Sequence, residues 1–544
     1  MKGIRYPGPL IGWVFLALGM LATPMARGQV TGTGITGADI SQEPRPETAV
    51  KPDGSTDAAS PDKQDNEIIK FHGSYWLHWN QTSAFDLDEN GFRDGLNMYL
   101  DHRLRVEPEF KIIDDLSIVI SVDLAGQLAG DTTQTGKDVL IRPRTENKFY
   151  ERSTVRKLYL DWKTPIGVLR VGQMTSEWGL GLVANGGDDE EGAFHDPLQS
   201  DIVDRVIFAT RPVPGFYIAV GGDVVFSDDN ADILDGDLAF EGILSLFYKD
   251  TVVKDLYDLF AGVYAAYRNQ TYDNDDKLWA VAIDAYMKHD VIIDEHGSKL
   301  SLAAEGVYIL GRLDFNSRSG PPRARDGADL RQYGMVLRAE VDAPKWGLLP
   351  SLEFGLASGD KDSLDDVARG LKFDPNYQVG MILFQEVLGR MSAHAPDRVS
   401  DPSLVYQPPE GYKLAATNGS ITNALYLYPR FRYRPAKGLE IQAAFLWAQA
   451  MEAVSSPYNA AGHGGYPLGY RVDPVKWGNR KWNGKALGIE VDAAISYRFP
   501  VHDLIDMRLG IQGAWARPGA AFDDTDGNSL GNLYKLRATA DIIW

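Results

Sequence analysis

The sequence predicts an all-β fold: a closed transmembrane antiparallel β-barrel of about eighteen strands, or sixteen if a hairpin is split wrongly, with long loops at one end and short turns at the other. Three observations carry this. The last thirteen residues, 532–544, alternate apolar and polar side chains and stop on an aromatic. Segments of roughly 9–14 residues with the same alternation recur from residue 68 onward, the length that a tilted strand needs to cross a bilayer. The connections between them alternate short and long, as in single-chain bacterial barrels, whose even strand count returns the chain to its starting side.

The elements follow in chain order. Lys2 and Arg5 precede an apolar run from Leu10 to Ala22, and Ala26-Arg27-Gly28 offers small residues for cleavage, so 1–28 reads as a signal peptide. Residues 29–67 are rich in Gly, Thr, Ser, Pro and Asp, with too little apolar surface to order themselves, and read as a disordered periplasmic tether. The barrel is expected over 68–544, with strands near 68–80, 97–110, 115–125, 154–163, 166–175, 204–211, 215–226, 240–249, 257–268, 277–289, 298–310, 332–343, 347–357, 423–434, 438–450, 486–499, 504–516 and 532–544. Pro and Gly punctuate the short connections, such as Thr164-Pro-Ile-Gly167, Pro212-Val-Pro-Gly215 and Pro435-Ala-Lys-Gly438. The long ones are mostly acidic, and 358–422 is the longest.

On the final strand Tyr534, Leu536, Ala538, Ala540, Ile542 and Trp544 share one face, and Lys535, Arg537, Thr539 and Asp541 the other. With a period of two, one face can meet hydrocarbon while the other meets water. Trp544, at the extreme C-terminus, resembles the signal read by outer-membrane assembly machinery. The chain has no cysteine and a formal charge of -20, about three units more negative once Lys2, Arg5 and Arg27 are cleaved away. Thiol chemistry is excluded. Such a field repels nucleic acid and suits divalent cations at a lipopolysaccharide surface. A soluble secreted protein is the other reading of the leader, but it does not account for the terminal strand.

Charged residues on alternating rows must face the interior, because each would cost several kcal/mol against lipid. These rows hold Arg103 and Arg105; Arg430, Arg432 and Arg434, between Glu353 and Glu440 on neighbouring strands; Glu490 and Asp492; and Arg508, Lys535, Arg537 and Glu340. They either line an aqueous pore or neutralise one another across the wall. Within 358–422, Asp374-Pro375 has the form of a capped helix start. The apolar stretch after it, from Tyr377 through Ile382 and Phe384 to Leu388, needs covering. That segment is expected to form a helix that narrows the barrel mouth or packs on other loops. Asp86, Asp88 and Asn90 have the spacing of the start of a calcium loop, but position 12 is Asn97 where a bidentate Glu is wanted, so solvated acidic loops account for them better. No other cofactor is indicated.

Gly172–Gly187, Asp204–Pro212, Phe373–Phe384 and Ile421–Pro429 resemble segments of a family of uncharacterised proteobacterial envelope barrels, within the wider class of outer-membrane porin-type barrels. The resemblance implies the fold and brings no substrate. Eighteen strands and an arginine-rich lumen are also similar to alginate-export barrels, as an analogy of architecture. The reading is an outer-membrane channel for passive passage of small polar solutes or ions, with both termini periplasmic and with lipid, lipopolysaccharide and assembly machinery as partners. Export of an acidic polysaccharide or a plugged surface barrel are the alternatives. An enzyme is disfavoured because no nucleophile and base are paired at a strand end.

Overall fold

The computed structural model describes residues 68–544 apart from 88–92, 96, 131–152, 189–192, 197–199, 229, 253–256, 273–274, 315–326, 362–365, 393–416, 418, 453–484 and 524–527. The signal peptide and tether expected over 1–67 lie outside the described residues. Eighteen strands form the wall: β1 Ile69–Thr82, β2 Asn97–Ile113, β3 Leu116–Gly130, β4 Thr154–Thr164, β5 Gly167–Thr175, β6 Ile202–Val213, β7 Phe216–Ser227, β8 Leu238–Val252, β9 Tyr257–Thr271, β10 Lys277–Ile292, β11 Lys299–Asp314, β12 Ala328–Asp342, β13 Leu348–Ala357, β14 Ala424–Ala436, β15 Leu439–Ala450, β16 Ala486–His502, β17 Ile505–Pro518 and β18 Leu533–Ile543. Each pairs antiparallel with its chain neighbours, and β18 returns to β1 in the register Ser74↔Ile543 to Thr82↔Lys535. The wall therefore has no open edge, which a bilayer requires because lipid cannot satisfy free backbone groups.

Strand length and face selection follow from the two-residue period. On β18 Tyr534 and Leu536 are outward and exposed while Lys535, Arg537 and Asp541 are buried. Outward apolar residues recur on the other strands, among them Val220, Leu244, Val263, Ile283, Leu337, Leu352, Phe445 and Ile511. This is a hydrocarbon-facing band. At one end the turns are short, two residues at 114–115, 165–166, 214–215, 437–438 and 503–504. Gly215 and Gly438 sit there at φ 81° and 82°, a left-handed conformation that a side chain would strain.

The closure seam is covered by the last residue. Trp544 exchanges both backbone hydrogen bonds with Gly73, each 3.1 Å. Its ring lies over Gly73, where an added Cβ would come within 2.5 Å of the indole, and stacks on Phe71 at 6.5 Å between centroids. A cross-strand aromatic packed over a glycine strengthens a strand pair at a point where one strand has no side chain to offer.

The interior is not polar throughout. At the long-loop end the described residues of two connections, 176–201 and 358–423, fold inward and build an apolar core with the wall. Leu182, Phe373, Ile382, Phe384 and Val387 from the loops, and Tyr426, Leu446 and Ala448 from β14 and β15, are each no more than 1% exposed. The helix expected from Asp374-Pro375 does not begin there. Asp374 instead accepts from the Asn376 N–H at 2.8 Å in a local turn, and Gly380 at φ 70° breaks the backbone again. Helical structure starts only at Leu383, as a π-helix over Leu383–Leu388.

Candidate channel interior

The inward loops are fastened to the wall around most of the circumference. Glu490 on β16 accepts the backbone N–H groups of Met381, Ile382 at 2.8 Å and Leu383 at 2.8 Å. One carboxylate thus satisfies the donors at the start of the π-helix that have no partner within it. Glu305 on β11 does the same for Leu180 and, at 3.1 Å, Leu182. Gln442 and Gln512 accept from Ala193 and Phe194 at 3.2 and 3.1 Å. Lys535 pairs with Glu386 of the π-helix, and Arg537 holds Asp196 at 2.8 Å and Asn80 at 2.9 Å. The two loops also bond each other, Asp374 N–H to the Leu182 carbonyl at 2.8 Å.

The constriction residues named from the sequence lie in this plug. Tyr377 donates its hydroxyl to Glu353 at 2.8 Å, and Tyr426 donates to the same oxygen at 2.8 Å. Burial and the Glu353 charge keep the Tyr377 phenol protonated well above its ordinary range. Ile382 is fully buried, and Phe384 meets Tyr426 edge-on at 6.3 Å. Asp492 lies buried beside Glu490 on the same inward row.

Next to the plug, β2 to β4 carry a basic wall. Arg105 grips Asp123 through two bonds of 2.7 and 2.8 Å. Arg103 lies over Trp76 at 5.0 Å and 4.0 Å from Asp123. Arg156 and Lys157, adjacent in sequence, are both buried where β4 slips register against β3. They converge on Asp188 of the first inward loop, at 2.6 and 3.4 Å, with Arg105 at 3.5 Å. Burial alone would raise the Asp188 carboxyl, but Arg156, Lys157 and Arg105 outweigh it and hold the group well below the usual carboxylate range.

Towards the short-turn end the interior is charged and reached by water. Arg432 and Arg434 both pair with Glu440, at 3.1 and 2.7 Å. Arg430 stands over Tyr428 at 5.6 Å. Arg498 pairs with Asp506 and Arg508 with Asp541, both at 2.7 Å, and the arginine side chains stay 50% and 33% exposed. Glu340 lies on the inward row of β12 between Ser301 and Ser351 in register. Asp86 sits opposite Arg93 in a two-residue hairpin pairing, while Asp88 and Asn90 lie outside the described residues. Among the described residues no three His, Asp or Glu side chains are grouped to hold a metal ion.

Sequence reasoning passed over the loop 176–201, although Trp178, Leu180, Leu182 and Val183 gave the same signal as 377–388, apolar side chains that a solvated loop would not leave in water. It also passed over Arg156 and Lys157, whose shared inward orientation depends on a register slip that alternation cannot reveal.

Fold and interior together define a porin-type transmembrane barrel with described loop residues packed inside one end. No protein-family model matches the chain, and no curated protein matches it. Among solved structures it is similar to the outer membrane protein OprD from Pseudomonas aeruginosa (11% identity, 87% of this chain and 94% of that one, TM-score 0.44). It is also similar to OccAB1 of Acinetobacter baumannii (10%, 89% and 99%, TM-score 0.49) and to Pseudomonas aeruginosa OpdK with vanillate (11%, 87% and 99%, TM-score 0.45). The fold assignment rests on the closed strand ladder itself.

Proposed function

We propose that this protein is an outer-membrane channel for passive passage of small polar solutes or ions, with its short turns and both termini on the periplasmic side, and that the two inward loops set its conductance. The observation that supports this best is the division of the interior. The wall is closed and membrane-facing, its short-turn half is lined by accessible arginines and carboxylates, and the obstruction above is made of loops rather than wall. Loops bound by side-chain hydrogen bonds can move while the strand ladder stays intact. The diameter that eighteen strands impose leaves room for an aqueous path once they do.

Purified protein in planar bilayers tests the reading. Discrete single-channel currents are expected, with the reversal potential in a salt gradient reporting ion selectivity. A heat-modifiable barrel that passes no current, even after residues 374–391 are shortened, would favour a permanently plugged surface barrel instead.

A further inference from the structure

The first inward loop carries one aromatic side chain whose ring is seated against the wall. Trp178 is 3% exposed. Its indole stacks on Tyr264 at 5.5 Å and 27° and meets Phe260 edge-on at 6.1 Å. Gly262, between those two residues on the inward face of β9, leaves room for both neighbours: an added Cβ there would lie 2.6 Å from the Phe247 Cβ and 2.9 Å from the Trp178 Cη2 atom. Phe247 stacks on Phe260 at 5.4 Å and closes the side of that space. At the inner end the indole N–H donates to Asp284 on β10 at 3.2 Å. Glu305 stands next to it, taking the N–H groups of Leu180 and Leu182.

This is a flat apolar slot with one hydrogen-bond acceptor at its end and carboxylates on one side. The wall residues that form it lie in continuous strand ladders and do not depend on the loop for their backbone positions. Such a slot is complementary to an indole-type ring with a single N–H donor, neutral or cationic. It is hostile to a ring carboxylate, which would meet Asp284 and Glu305 unpaired. We propose that the slot is a binding site for indole-class solutes, and that Trp178 is its resident occupant while the plug is in place, so that a free ring of the same chemistry competes with the loop. An apolar cavity left by removing such a side chain can bind a free ring of matching shape.

The test uses the full chain in detergent, with folding checked by heat-modifiability. Trp178→Ala is expected to bind free indole saturably by calorimetry, at least tenfold more tightly than the wild type, whose own indole competes. Gly262→Leu on that background should abolish binding, and benzoate should not bind. A folded Trp178→Ala protein that ignores indole, or takes benzoate as readily, overturns the proposal. If Trp178→Ala does not fold, hydrogen exchange on the wild type decides: indole should raise exchange across 178–184, and no change at saturating indole overturns the site. Binding here is read without current, so a failed channel reading and a failed slot give different results.

Discussion

Replacing Glu490 by Leu should loosen the second inward loop without harming the wall. The carboxylate accepts three buried N–H groups, those of Met381, Ile382 and Leu383, and each buried donor left without an acceptor costs about 1–3 kcal/mol. The sum is about 3–9 kcal/mol, and its lower bound already corresponds to roughly a hundredfold change in a local opening equilibrium. Against it stands the burial of Ile382, Leu383, Phe384 and Val387, all 1% exposed or less, at about 1.5–3 kcal/mol per side chain. The two contributions are of similar size, so the first turn of the segment should detach more often rather than leave for good. Planar-bilayer recordings should then show a higher open probability, and amides 381–388 should exchange faster. Glu490→Gln, which keeps one acceptor oxygen, should fall between. Unchanged current and unchanged exchange in a folded Glu490→Leu barrel would show that apolar packing alone holds the plug, and the latch argument would be wrong.

Three further outcomes are expected. Changing Arg430, Arg432 and Arg434 together to Gln turns their patch with Glu440 from net plus two to minus one, so the reversal potential should shift toward cations; a pore that conducts with no shift would remove these arginines from the ion path. Gly73→Val, whose side chain would collide with the Trp544 ring and the Arg105 carbonyl, each 2.5 Å from the new Cβ, and deletion of Trp544 should both lower the yield of heat-modifiable barrel in the outer membrane, and normal yields would dismiss the seam argument. The Asp188 contact with Arg156 and Lys157 should survive acidification to pH 4, because a carboxyl held below its ordinary value of about 3.9 keeps its stabilising effect above that value and loses it only as pH falls through the lower folded one. Loss of amide protection at 184–188 by pH 4.5 would contradict that sign, whereas Asp188→Asn should weaken protection already at neutral pH.

The wall was legible because two strict demands act on every strand at once, an apolar outer face and an unbroken ladder. The expected strand 97–110 is observed over 97–113, and 204–211 over 202–213, with Lys111–Ile113 and Pro212–Val213 running on to the short turns and Ile202–Val203 towards the long connection. Pairs between neighbouring strands were legible for the same reason: Glu440 stands beside Arg432 and Arg434 because the hairpin through Lys437-Gly438 fixes the register. Contacts between loop and wall were not. Arg537 and Asp196 are separated by 341 positions, and no period links them. The false helix start had a local cause, since Asp and Pro favour a turn as readily as a helix cap and only the wall carboxylate of Glu490 decided where helical structure could begin.

Where the plug sits is nonetheless written along the strands, in a form that alternation alone hides. A strand between lipid and water needs polar residues inside, yet β8 places Ile243 and Phe247 inward with Leu244 and Leu246 outward, and β15 places Leu446 and Ala448 inward with Phe445 and Trp447 outward. Apolar residues on both faces mean that something apolar lies on each side, lipid without and a folded loop within. Strand β14 records the boundary inside a single element. Tyr426 and Tyr428 point into the plug at 0% and 1% exposure, and from Arg430 onward the inward row is charged. The step between Tyr428 and Arg430, bridged by their ring and guanidinium contact at 5.6 Å, therefore marks the floor of the plug and the roof of the aqueous vestibule. A cysteine placed at 432 should react with a charged thiol reagent applied from the short-turn side of the folded barrel, and one at 426 should not until the loops are released.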